Sequence, residues 1–146
     1  IAAAFVLRVY AGAVAIGVTV SSWMFVTTRC LALYLACIKR RQELLTWGTE
    51  SREVLQLYSV ALIDRYAAIA STGALLFYSL YVMTEQPGMV FTIPFVLFGL
   101  FRYWFLVESK RGGESPTDAL LSDWQLIATT LAWAAACAWS LLPGAA

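Results

Sequence analysis

Histidine is absent from this chain, and charge is scarce. Without an imidazole there is no Ser–His or Cys–His nucleophile pairing and no histidine-ligated metal. Charged residues make up 13% of the 146 positions, against roughly 25% in soluble domains. Hydrophobic residues supply 61% and the mean hydropathy is +0.74. The chain therefore reads as an integral membrane protein. Its net charge of +1, with basic residues that are local rather than a stripe, gives no nucleic-acid surface. The three cysteines, Cys30, Cys37 and Cys137, all fall in apolar runs without metal-ligand spacing. They read as small apolar residues, not as a disulfide framework. No Gly-rich phosphate loop follows a strand. No basic region or small-residue cleavage site precedes the first apolar run, so no signal peptide is read. The run begins at Ile1, and the simplest expectation is a piece of a longer protein.

What is present is long apolar stretches. A spanning helix needs about 20 mostly apolar residues, and five segments qualify: 1–20, 22–38, 57–83, 89–107 and 125–142. The runs are too long and too little alternating for barrel strands, so the predicted fold is an all-α, multi-pass transmembrane helix bundle. Ser21-Ser22 predicts a tight hairpin, and Glu85-Gln86-Pro87-Gly88 a short turn. The two longer connections hold Lys39, Arg40, Arg41, Arg52, Lys110 and Arg111. The positive-inside rule places both in the cytoplasm. Ser115-Pro116-Thr117-Asp118 predicts a capped short helix through Leu120-Leu121. Ser122 or Asp123 can cap the fifth span, and Ser51 can cap a helix leading into the third.

The candidate site is Lys39-Arg40-Arg41-Gln42-Glu43, followed by Arg52. If the second span continues as a helix, Glu43 can pair with Lys39 or Arg40, four and three residues earlier. Arginine forks and lysine point charges are the usual phosphate ligands. The plainer reading is a snorkelling cluster that only fixes topology. Ionisable residues inside the spans favour a polar site, because a charge at mid-bilayer is costly unless it faces a wet cavity or a partner. Arg8, Asp64, Arg65 and Arg102 lie near the expected cytoplasmic ends and can converge on the same mouth. Asp64 can equally neutralise Arg8 or Arg102. Arg29 sits nearer mid-span, with no functional account. Tyr34, Tyr58 and Tyr103 flank the cluster, as interface tyrosines do. Asp118 and Asp123 can help hold a hard cation or simply cap helices.

Phe5-Val6-Leu7-Arg8-Val9-Tyr10-Ala11-Gly12-Ala13, Lys39 through Leu44 with Arg52 and Tyr58-Ser59, and Phe95 to Glu108 carry a resemblance over nearly the whole chain. So do Ser115-Pro116-Thr117 and Leu120-Leu121-Ser122-Asp123. The chain resembles the UbiA superfamily of intramembrane prenyltransferases. Within it, the likeness is to the branch that transfers phosphoribosyl groups to decaprenyl phosphate. The resemblance implies a nine-helix bundle around a cavity open to the cytoplasm and to lipid, of which this chain would supply helices five to nine. It implies phosphoribosyl diphosphate as donor, a polyprenyl phosphate as acceptor, a bacterial plasma membrane and a role in cell-wall arabinan synthesis. It implies Mg2+, whose family motif, Asn-Asp-x-x-Asp-x-x-x-Asp, is absent here and would lie upstream of Ile1. The second family motif is normally rich in aspartate; here Lys39, Arg40 and Glu43 stand in its place. Two anionic substrates make that exchange reasonable. In this reading Lys39, Arg40 and Glu43 are catalytic, and Arg8, Arg52, Tyr58 and Arg102 bind substrate. Two rivals remain: a prenyltransferase of the same fold with another acceptor, and a non-catalytic membrane scaffold that binds anionic lipid.

Overall fold

A computed structural model describes residues 2–15, 17, 19–47, 59–109 and 122–141. Arg52, Tyr58, Asp118, Ser51 and the predicted short helix through Leu121 lie outside the described residues. Every regular element among the described residues is helical: α1 (Ala2–Ala15), α2 (Ser22–Trp47), α3 (Val60–Glu85), a 3₁₀ helix (Pro87–Thr92), α4 (Ile93–Ser109) and α5 (Trp124–Leu141). Two stretches, Val60–Glu85 and Pro87–Ser109, are long and apolar enough to cross a membrane.

The boundaries have local causes. The first predicted span shortens to 14 residues, because Gly17 takes a left-handed conformation with φ +68°. Its N–H bonds to the Val14 carbonyl at 3.1 Å, closing the helix end. Ser21 starts α2: its Oγ accepts from the N–H of Trp23 at 3.2 Å, and its carbonyl accepts from Phe25 at 2.9 Å. The second span is longer than predicted. α2 runs for 26 residues, through Lys39 to Trp47. At 1.5 Å per residue that is about 39 Å, more than the ~30 Å hydrocarbon core. α3 begins at Val60 rather than near Leu57, with Ser59 as N-cap; the Ser59 Oγ accepts from Leu62 N–H at 3.2 Å. Pro87, which lacks an N–H, follows the break at Gln86 and opens the 3₁₀ turn that leads into α4.

α2 and α3 lie antiparallel along most of their length. Trp23 stacks on Phe77 at 6.1 Å near one end. Gly73 meets Cys30 midway, so closely that a Cβ on Gly73 would lie 3.1 Å from the Cys30 Sγ. Arg41 reaches Asp64 near the other end. The main core joins α2, α3, α4 and α5 through Tyr34, Ile38, Ala67, Tyr103, Leu106, Val107 and Leu126. A second cluster, of Tyr78, Val82 and Met89, closes the opposite end. There the Trp133 indole donates to the Tyr78 hydroxyl at 3.0 Å, and Tyr78 and Thr92 hydroxyls lie 2.6 Å apart. Thr92 in turn donates to the Met89 carbonyl, so the proton between the two hydroxyls comes from Tyr78. The molecule thus has an end with ion pairs, at the α2 extension, and an opposite end tied mainly by neutral hydrogen bonds, to which Ser21 adds a bond to the Glu85 carboxylate.

Candidate functional site: a basic helix extension beside an apolar groove

The continuation of α2 decides what the basic cluster can do. On one helix, Lys39, Arg40 and Arg41 point to three different sides. Lys39 is exposed and makes no ion pair among the described residues. Arg40 is exposed and pairs with Glu43 at 2.7 Å, three residues on, as the spacing predicts. Arg41 turns inward and is only 8% exposed. Its Nε donates to Asp64 at 2.8 Å, and its Nη2 lies 3.7 Å from Glu108. Asp64 is therefore engaged by Arg41, not by Arg8 or Arg102. The sequence carried a signal for this: Tyr34, Ile38, Arg41 and Leu44 recur at helical spacing, and all four are buried.

Arg102 and Asp123 form a second pair, two parallel bonds at 3.2 and 2.6 Å. Asp123 also caps α5, accepting from the Leu126 N–H at 2.9 Å. The Arg102 guanidinium holds the Asp123 carboxyl below its ordinary range, with the cap adding to the effect. Asp123 thus has both oxygens on Arg102 and one also on the helix end.

Arg8 is not brought to this end. Tyr10 packs edge-on against Phe25 at 5.1 Å, which sets Arg8 level with about Thr27 in the antiparallel hairpin. That is roughly 18 Å along α2 from Lys39 at 1.5 Å per residue. The hairpin is the reason: with α1 ending at Ala15, counting back from the turn leaves Arg8 about midway along α1. Arg29 is also exposed, with its guanidinium 4.0 Å from the Phe25 ring centroid, a cation–π contact the sequence reading did not foresee. Arg65 is exposed on α3. Tyr34 and Tyr103 are not interface tyrosines. They are 1% and 3% exposed, edge-to-face at 5.8 Å, and both hydroxyls are buried without a hydrogen-bond partner among the described residues.

An apolar groove of about 530 Å³ opens beside this end, between α3 and α4. Ser71, Leu75, Leu97, Leu100 and Trp104 line it, Tyr34 forms part of its wall, and Glu108 lies at its charged end. That volume falls in the range of ligand pockets. Among the described residues, no three histidine, cysteine or carboxylate groups converge as metal ligands. Glu43, Asp64 and Asp123 are each held by an arginine. These residues do not fit a metal centre of their own.

Fold and site together define a class: an all-helical apolar bundle with an exposed basic helix extension next to an apolar groove. The relatives narrow it. The chain is similar to a protein named decaprenyl-phosphate phosphoribosyltransferase in Corynebacterium glutamicum, 29% identical over 143 residues, or 91% of this chain and 43% of the relative. The Mycobacterium tuberculosis protein of the same name is 28% identical over 144 residues, 92% of this chain and 47% of that one. The chain spans less than half the length of these curated relatives. No family model matches it, and no solved structure matches it significantly.

Proposed function

We propose that this chain forms the C-terminal part of a membrane-embedded transferase. It would move a 5-phosphoribosyl group from phosphoribosyl diphosphate to a polyprenyl phosphate and release diphosphate, feeding cell-wall arabinan synthesis. The observation that carries the reading is one end of the bundle that offers two exposed cations, Lys39 and Arg40, beside an apolar groove. A phosphate headgroup on a long apolar tail needs both. The names of the relatives supply the phosphoribosyl and polyprenyl halves of the reaction. In this reading the charged end faces the cytoplasm and the helices sit in the bacterial plasma membrane.

An acceptor phosphate oxygen attacks the anomeric carbon, the bond from that carbon to the diphosphate oxygen breaks, and diphosphate departs with the electron pair. The acceptor is already ionised near neutral pH, so no general base is required. The difficult part is bringing two anions together and stabilising the leaving group, which preorganised cations do. Lys39, which makes no ion pair among the described residues, would take this role. Arg40 would bind a donor phosphate, and Glu43 would orient Arg40 or a ribose hydroxyl. Arg52 and Tyr58 complete the donor site in this proposal. Arg102, with Asp123, braces the wall facing the acceptor phosphate. A magnesium ion, implied by the family resemblance, would neutralise the diphosphate; its ligands are assigned to the family motif upstream, not to the residues described above.

The test is phosphoribosyl transfer by the full-length protein with Lys39→Ala and Arg40→Ala. Each should lower turnover by about 100-fold, the scale for losing one preorganised charge partner, with normal amounts of folded protein. Wild-type turnover in both variants overturns the reading. A prenyl diphosphate that replaces the phosphoribosyl donor in the same assay would move the protein to an ordinary prenyltransferase.

A further inference from the structure

We propose that Arg41 is a positioning residue, whose guanidinium, clamped between Asp64 and Glu108, fixes the rotation of the α2 extension so that Lys39 and Arg40 face the anionic donor. The role rests on the transferase reading above. Three helices meet at this one side chain. Arg41 stands on α2, Asp64 on α3 at 2.8 Å and Glu108 on α4 at 3.7 Å. Its side chain is 10% exposed, and it continues the inward stripe of Tyr34, Ile38 and Leu44. A buried arginine stripped of its carboxylates is strongly unfavourable. Rotating α2 by one residue would both strip it and turn Arg40 inward in its place. The clamp therefore holds two other residues outward without touching a substrate.

Charge gives Arg41 a second duty at the same place. Asp64 and Glu108 are two carboxylates at the end where phosphates would dock. With Arg41 between them, one of the two negative charges is cancelled. Without it, both face an incoming phosphate, and like charges at short range repel it. Lysine in its place keeps a charge but lacks the planar fork that spans two partners.

The test uses the full-length enzyme in lipid nanodiscs, with Arg41→Lys, Arg41→Met and the exchanged pair Arg41→Asp with Asp64→Arg. Arg41→Met is expected to raise the KM for phosphoribosyl diphosphate about tenfold, the worth of one charge-assisted hydrogen bond. The kcat should fall as well, because Lys39 and Arg40 lose their alignment, while the KM for polyprenyl phosphate should stay near wild type; the defect should shrink at high salt, and Arg41→Lys should fall between. The exchanged pair should recover part of the donor KM. A folded Arg41→Met or Arg41→Lys with wild-type donor KM overturns the role while leaving the transferase reading standing. Parallel losses in kcat, both KM values and melting temperature overturn it in favour of a structural brace alone. A wild-type protein that neither binds nor turns over the donor removes the transferase reading, and the Arg41 role with it.

Discussion

Lys39, Arg40 and Arg41 are neighbours in sequence and part ways in space. One makes no ion pair among the described residues, one pairs along its own helix with Glu43, and one is buried across the bundle on Asp64. Helical geometry alone predicts the Arg40–Glu43 pair. It cannot say which of three consecutive bases turns inward until the apolar stripe through Tyr34 and Ile38 is extended to Leu44. The exposed Arg40–Glu43 pair contributes little to stability, about 0.3–0.5 kcal/mol, and its importance lies in orientation. Glu43→Gln is therefore expected to leave the melting temperature of the purified protein unchanged. In a transfer assay it should reduce kcat/KM about tenfold, roughly 1.4 kcal/mol of lost orientation. A variant with full activity would leave Glu43 without a role in the site.

At the scale of elements, the existence and order of the five long helices were legible from the apolar runs. Their ends were less so. α1 stops early because Gly17 adopts φ +68°, and α2 runs on because nothing between Lys39 and Trp47 breaks a helix. The near contact of Gly73 with Cys30 fixes how closely α2 and α3 approach, a fact invisible to any single-helix pattern. Gly73→Leu should overpack this crossing and cost about 1–3 kcal/mol. Combining it with Cys30→Ala should recover part of the loss, measured by chemical denaturation in detergent. Equal losses in the single and double variants would place the strain elsewhere. The α5 cap gives a pH signature. The Asp123 carboxyl has its pKa lowered by Arg102 in the folded protein. The pair therefore contributes its full share above the unfolded value, about 3.9, and loses it as pH falls through the folded value. The stability gap between wild type and Asp123→Ala should be constant from about pH 5 to 8 and close only in stronger acid. Removing the cap alone costs about 1 kcal/mol. A gap that changes near neutrality would mean another group titrates with it.

For the whole molecule, the expectation that Arg8, Asp64, Arg65 and Arg102 share one mouth dissolves into layers. Arg41, Asp64 and Glu108 form one layer at the α2 extension, and Arg102 with Asp123 forms another pair on α4 and α5. Arg8 and Arg29 stand on the α1–α2 hairpin, away from that end. Depth along a helix can be counted from sequence only if the turn is placed correctly, and α1 ending at Ala15 moved the count. The groove between α3 and α4 was not legible either, since its walls come from helices far apart in sequence.

The unlike fastenings of the two ends carry their own consequence. Ionic contacts weaken as salt rises, whereas the Tyr78–Thr92–Trp133 hydrogen bonds are neutral and mostly sheltered. Ionic strength therefore acts mainly on the end that carries the ion pairs. In hydrogen-exchange mass spectrometry, concentrated salt should quicken exchange in the peptides around Asp64 and leave those around Tyr78 and Met89 as slow as before. The bundle would behave like a hinge pinned at its neutral base, with its charged rim free to breathe as anions come and go.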